Sequence, residues 1–191
     1  MENPGHVHWE AVKQVLRYLK GTWDWRLVYG GGEACGLEGF ADANGAMQEH
    51  NWTISGYVIL IDGGAVSWCS KKQELVTLST TESEYVTTTH AAKELIWFQH
   101  LLEEIFWPLK HPITLHSDNQ SAIALAHSDG QFHARTKHID IQWHFIHYSI
   151  KKGSIELVYC PTKDMTADLL TKPLLSAKAK HFAHVLGLCP V

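Results

Sequence analysis

Hydrophobic and polar positions alternate between two periods along this chain. Over residues 8–20, Trp9, Val12, Leu16 and Leu19 recur at helical spacing, with Lys13, Arg17 and Lys20 on the other side and Gly21 as a stop. That pattern predicts a short amphipathic helix. Residues 29–36 hold four of the 14 glycines and read as a boundary. Strand patterns follow: a short one ending near Asp42, then 54–61, then 65–70, the last two joined by Asp62-Gly63-Gly64, a hairpin signal.

A long helix is predicted from Ser79 to about Phe106, with Tyr85, Ala92, Leu95, Leu102 and Phe106 at helical spacing and Ser79-x-x-Glu82 as a capping box. Next come a strand over 113–117 running into Asp118, a short helix over 119–126, and a polar loop over 127–136. A second long helix over 137–152 stops at Gly153. A strand at 155–160 is broken by Pro161, and Asp164 is placed to cap a helix through Leu170. Three antiparallel-type strands followed by strands joined through helices imply an α/β layered domain, because parallel pairing needs helical crossovers. The chain divides into an N-terminal helix and strand (1–30), a main domain (37–175) and a C-terminal helical tail (176–191).

Composition narrows the classes. With 45% hydrophobic and 19% charged residues the 191-residue chain reads as one soluble globular domain. No run approaches the roughly 18 apolar residues of a spanning helix, and residues 1–9 lack a signal-peptide core, so an intracellular, non-secreted protein is expected. The net charge of −4 argues against a protein that grips polyanions by charge alone. Cys35, Cys69, Cys160 and Cys189 form no Cys-x-x-Cys and are expected as reduced, mostly buried thiols. His6-x-His8 and His181-x-x-His184 lack the further ligands of a zinc site.

Four acids stand at element ends: Asp42 closing the first strand, Glu84 in the first turns of the long helix, Asp118 after the fourth strand, and Asp168 beyond Pro161. Strand ends and helix starts on one sheet edge share a crevice. Carboxylates gathered there need hard cations such as Mg²⁺ or Mn²⁺, and two such ions together can drive phosphodiester hydrolysis. Spacing alone also fits ordinary helix capping.

The surrounding residues carry more. Phe40-Ala41-Asp42-Ala43, Ser55-Gly56-Tyr57-Val58, Ser67-Trp68-Cys69-Ser70-Lys71-Lys72-Gln73, Leu78-Ser79-Thr80-Thr81-Glu82-Ser83-Glu84-Tyr85, Asp118-Asn119-Gln120-Ser121-Ala122, Arg135-Thr136-Lys137-His138-Ile139-Asp140 and Ala167-Asp168-Leu169-Leu170-Thr171-Lys172-Pro173 occur in order. Together they resemble the ribonuclease H domain of copia-type LTR retrotransposon polyproteins, and residues 8–21 resemble the last helix of the reverse transcriptase that precedes it. The resemblance implies a ribonuclease H-like α/β fold with a mixed five-stranded sheet flanked by helices. It implies Asp42, Glu84, Asp118 and Asp168 as catalytic metal ligands for two Mg²⁺ or Mn²⁺ ions. Asp42 would bridge both ions, Glu84 and Asp118 would complete one, and Asp168 the other. Glu82 is the competing choice, and Glu84 is preferred because it directly precedes Tyr85.

The implied reaction is cleavage of the RNA strand of RNA–DNA hybrids to 5′-phosphate products, with a reverse transcriptase domain in the same polyprotein as partner and cytoplasm or virus-like particles as setting. A non-catalytic hybrid-binding or scaffold module of the same fold is the alternative. Thr80, Thr81, Asn119 and Gln120 are candidates to meet 2′-hydroxyls across the minor groove, and helix capping is the competing role of the two threonines. Arg135 and Lys137 begin a basic stretch over 133–152, where four cations face Asp140 alone. His138 and Asp140 are expected to hold that helix in place. Cys160-Pro161-Thr162-Lys163 stands where cellular ribonucleases H carry a loop histidine. Trp68, Trp97 and Trp143 are expected in the core, while Trp23, Trp25, Trp52 and Trp107 are unassigned.

Overall fold

The structure is a computed structural model that describes residues 4–30, 36–44, 53–74, 77, 79–105, 109, 112–128 and 137–191, without the side chains of 137–139. Five strands form one sheet: β2 (Leu37–Asn44), β3 (Ile54–Ile61), β4 (Gly64–Lys72), β5 (Ile113–Ser117) and β6 (Ile155–Tyr159), in the spatial order β4-β3-β2-β5-β6. The first three pair antiparallel, and β5 and β6 add in parallel. The β3–β4 hairpin closes through two residues, Asp62 and Gly63, at φ 52° and 77°. Positive φ at both positions is what a type I′ turn demands, and its twist matches that of the strands it joins.

Alternation along the strands sends apolar residues to both faces, as a sheet covered on both sides requires. On one face Leu37, Ala41, Ile59, Leu115 and Leu157 pack with Tyr85, Ala92, Leu95 and Leu102 of α2 (Thr80–Ile105). Ala122 of α3 (Gln120–His127) and Trp143 and Ile146 of α4 (Lys137–Lys151) complete that core. On the other face Phe40, Val58 and Leu60 meet Met165, Ala167 and Leu186. Helix α2 carries three successive threonines, Thr87, Thr88 and Thr89, all buried. Each hydroxyl donates to the carbonyl four residues back, at 3.0, 2.8 and 2.9 Å, so no buried hydroxyl is stranded.

The first helix, α1 (His6–Gly21), buries no residue. It leads into β1 (Arg26–Leu27), which pairs antiparallel with β7 (Leu188–Cys189) after α6 (Ser176–Val185). The two flanking segments thus share one two-stranded sheet. No helix among the described residues is long and apolar enough to cross a membrane.

Three expectations change. The helix expected from Asp164 is confined to α5 (Asp168–Thr171). Met165, Thr166 and Ala167 are buried and linked forward by tight bonds from Asp168 N, Leu169 N and Leu170 N, so the chain turns under the sheet before it becomes helical. Trp68 is 63% exposed on β4, which among the described residues is an outer strand of the sheet. Trp97 is 55% exposed because it lies two residues from Leu95 and from Gln99, on the opposite side of α2. Trp143 is in the core, stacked 5.0 Å from His147.

Helix α5 can lie against the sheet only because residue 56 has no side chain. A Cβ there would stand 2.5 Å from Thr171 Cγ2 and 3.0 Å from Leu170 Cβ. Gly56→Ala is therefore expected to destabilise the fold by about 1–3 kcal/mol, as overpacking does, read as a lower urea midpoint; an unchanged midpoint would show that α5 is free to move away.

Candidate active site

Asp42 lies near the end of β2, 2% exposed and in register with Gly56 of β3. The parallel pairing of β2 with β5 brings Ser117 beside Ala41, so Asp118 emerges next to Asp42 at the same sheet edge. Asn119 then starts α3 as its N-cap, its Oδ1 accepting from Ala122 N at 2.9 Å. Asp168, buried at the start of α5, reaches this edge from below, across the bare backbone of Gly56. One carboxylate oxygen from each of Asp42, Asp118 and Asp168 lies within 4.8 Å of the others.

Glu84 stands beside this trio. It is buried in the second turn of α2 and its Oε2 accepts a hydrogen bond from Ala43 N at 3.0 Å, directly after Asp42. Glu82 sits in the first turn, where its backbone N–H donates to Ser79 Oγ at 3.2 Å, so the serine half of the expected cap is present. The start of α2 is held by Gln73, whose buried Nε2 donates to Ser55 Oγ at 2.9 Å, Ser83 O at 2.9 Å and Thr87 Oγ1 at 3.2 Å. Neutral hydroxyls complete the surroundings: Thr171 donates to Asp42, and Thr162 donates to Asp118 Oδ2 at 2.9 Å. The Cys160-Pro161-Thr162-Lys163 loop therefore meets the site through Thr162.

Like charges in a poorly solvated cleft hold their protons. Burial, then the charges of Asp42 and Asp118, push Glu84 up to about 9. Burial also raises Asp42, against the hydrogen bond from Thr171 and the charge of Lys172. Two ammonium groups offset the rest. Lys172 Nζ is 2.7 Å from Asp168 Oδ1 and 3.6 Å from Asp42 Oδ2, and Lys178 Nζ is 2.9 Å from Asp168 Oδ2. Burial pulls the Lys172 ammonium down, yet its contact with Asp168 and the charges of Asp42, Asp168 and Asp118 hold it above its ordinary pKa.

Oxygen-only donors from three or four carboxylates suit a hard divalent cation. Asp168 Oδ1 makes the same point from the inside. It is buried, and what it faces is a cation, the Lys172 ammonium at 2.7 Å. The donor set fits Mg²⁺ or Mn²⁺.

Of the candidate nucleic-acid contacts, Thr80 and Gln120 are exposed and Thr81 and Asn119 half-buried, all four at the helix starts that carry Glu84 and Asp118. Arg135 lies outside the described residues, as does the Lys137 side chain, although Lys137 begins α4. Sequence reasoning missed the roles of Lys172, Lys178, Thr171 and Thr162. Lys172 had a signal, since it lies four residues from Asp168, the spacing of a helical ion pair.

No protein-family model matches the chain. It is 41% identical to the retrovirus-related Pol polyprotein from transposon TNT 1-94 of Nicotiana tabacum, across 98% of this chain and 14% of that protein. It is 36% identical to the Pol polyprotein from transposon RE2 of Arabidopsis thaliana, across 100% of this chain and 13% of that protein. The chain thus spans about a seventh of the length of these relatives. Among solved structures it is similar to LC11-RNase H1, isolated from compost by a metagenomic approach, with a TM-score of 0.52 at 17% identity over 72% of this chain and 94% of that one. The same enzyme in complex with an RNA/DNA hybrid gives a TM-score of 0.50 at 15% identity over 71% of this chain and 93% of that one. With a ribonuclease H fold and relatives matched along almost its whole length, the chain is homologous to a ribonuclease H segment of the retrovirus-related Pol polyproteins of copia-type transposons.

Proposed function

We propose that this chain is a metal-dependent ribonuclease H that hydrolyses the RNA strand of RNA–DNA hybrids during retrotransposon reverse transcription. The observation that carries this reading is the convergence of Asp42, Asp118 and Asp168, with Glu84 beside them, at one edge of a ribonuclease H sheet. Asp42, Glu84, Asp118 and Asp168 would hold two Mg²⁺ or Mn²⁺ ions. When bound, such ions activate water and stabilise the leaving oxygen in phosphodiester hydrolysis. Water adds to phosphorus, the bond to the 3′-oxygen breaks, and the products carry a 5′-phosphate and a 3′-hydroxyl.

The chain's own residues hold and orient. Ala43 N–H fixes one oxygen of Glu84, Thr162 one of Asp118, and Thr171 one of Asp42. Thr80, Thr81, Asn119 and Gln120 flank the acids and supply donors and acceptors for 2′-hydroxyls, the group that separates RNA from DNA. Arg135 and Lys137 would add phosphate contacts. The known hybrid complex of LC11-RNase H1, a protein of the same fold, supports a hybrid as substrate. The Pol polyprotein relatives support a reverse transcriptase as the neighbouring domain, and the interior of cells or virus-like particles is the proposed setting.

Asp118→Asn is expected to lower hybrid cleavage at least about a hundredfold, beyond what loss of an outer-shell partner costs, with the melting temperature kept. Labelled hybrid, double-stranded RNA and double-stranded DNA assayed together provide the check. Full activity in that variant would sink the assignment.

A second expectation concerns pH. Glu84 binds its proton up to about 9 in the folded protein and near 4.5 when unfolded, so between these values the folded state holds the extra proton. Stability of the metal-free protein must then fall as pH rises through that window, by on the order of 1 kcal/mol per unit. Melting in chelator should be lower at about pH 8.5 than at about pH 6, and Glu84→Gln or added Mg²⁺ should flatten the difference. A slope that survives in Glu84→Gln would assign it to another group.

A further inference from the structure

Two lysines touch Asp168, and they are anchored differently. Lys178, on α6, pairs with Asp168 Oδ2, donates to Thr162 O at 3.2 Å, and lies 4.9 Å over the ring of Phe182, which is fully buried. Without Asp168 it would still have a carbonyl and an aromatic face to hold it. Among the described residues, Lys172 pairs with two carboxylates, Asp168 Oδ1 at 2.7 Å and Asp42 Oδ2 at 3.6 Å. Its side chain is 31% exposed, so an open path to solvent lies beside it.

The oxygens that Lys172 touches belong to the carboxylates that converge with Asp118 within 4.8 Å. A hard dication and an ammonium compete for the same anionic oxygens, one bringing two charges and direct coordination, the other one charge and hydrogen bonds. They cannot occupy the gap together without strong like-charge repulsion. Asp168 Oδ1 is buried, and the cation it faces is the Lys172 ammonium at 2.7 Å.

We propose that Lys172 is a built-in counter-cation that fills the gap between Asp42 and Asp168 in the metal-free protein and that a divalent ion must displace. Lys178 is a positioning residue that keeps Asp168 Oδ2 fixed and leaves Oδ1 for the ion. This inference rests on the carboxylates holding a divalent ion. It adds that loading is an exchange of cations, so that affinity is set against an internal competitor.

Mn²⁺ binding, followed by calorimetry or by the spin resonance of free Mn²⁺, tests it without recourse to activity. Lys172→Met should bind Mn²⁺ about tenfold more tightly than the unaltered chain, since the competitor is gone. Lys178→Met should bind it less tightly. The unaltered chain gives a second readout that does not depend on the variants folding: acylation of Lys172 by an amine reagent, read by mass spectrometry, should rise when Mn²⁺ is added, and that of Lys178 should not. Unchanged or weaker Mn²⁺ binding in a folded Lys172→Met, or Lys172 acylation indifferent to Mn²⁺, overturns the proposal while leaving the metal site intact. Failure of the unaltered chain and both variants to bind Mn²⁺ at all removes the metal site on which the proposal rests.

Discussion

The constraint on which the rest of this structure depends is the crowding of like charges at one buried edge of the sheet. Asp42, Glu84, Asp118 and Asp168 come from a strand, a helix, a strand end and a short helix, elements far apart in sequence. Bringing them together costs free energy through desolvation and mutual repulsion. Three devices meet that cost. Glu84 holds a proton, hydroxyl and amide donors aim at Asp42, Asp118 and Glu84, and two lysines lean on Asp168. A fold seeking stability alone would place apolar residues here, so the persistence of the cluster fits a site selected for chemistry.

Much of the local architecture serves that edge. Gly56 removes a side chain from β3 so that α5 can approach the sheet, and the approach delivers Asp168 and Thr171 to Asp42. Gln73 links the end of β4 to Ser55 and to the start of α2, which fixes where Glu84 enters. The parallel β2–β5 register places Asp118 beside Asp42. The chain's net charge of −4 belongs to the same picture. Part of the acid excess is concentrated where cations are wanted, rather than spread as a field that would repel nucleic acid.

What the sequence made legible follows from how local each signal is. The hairpin announced itself because Asp-Gly supports two positive φ values in succession. Helix α2 was readable from its apolar spacing and Ser79, and the change from antiparallel to parallel pairing from the alternation of strands with helices. The four acids could be picked by their places at element ends and by the ordered motifs around them. Trp68 and Trp97 misled because their surroundings are apolar while their exposure depends on which strand ends the sheet and which side of α2 faces it. Asp164 misled because its capping potential is local, whereas the tight turns at Met165 to Ala167 answer to burial under the sheet. Lys178 and the β1–β7 ladder had no local signal at all. They bring together parts of the chain that meet only in three dimensions.

The lysines at Asp168 also bear on when the domain can fold. A site whose negative charge had to await ions would leave the sheet edge unformed until they arrived, and folding would follow the local ion supply. Here the neutralising charges are covalently part of the chain, Lys172 one helical turn from its partner and Lys178 on the next helix. Two of the neutralising charges are therefore in place before any ion arrives. On the proposed function, such a domain can fold first and receive its ions afterwards, at a site already built.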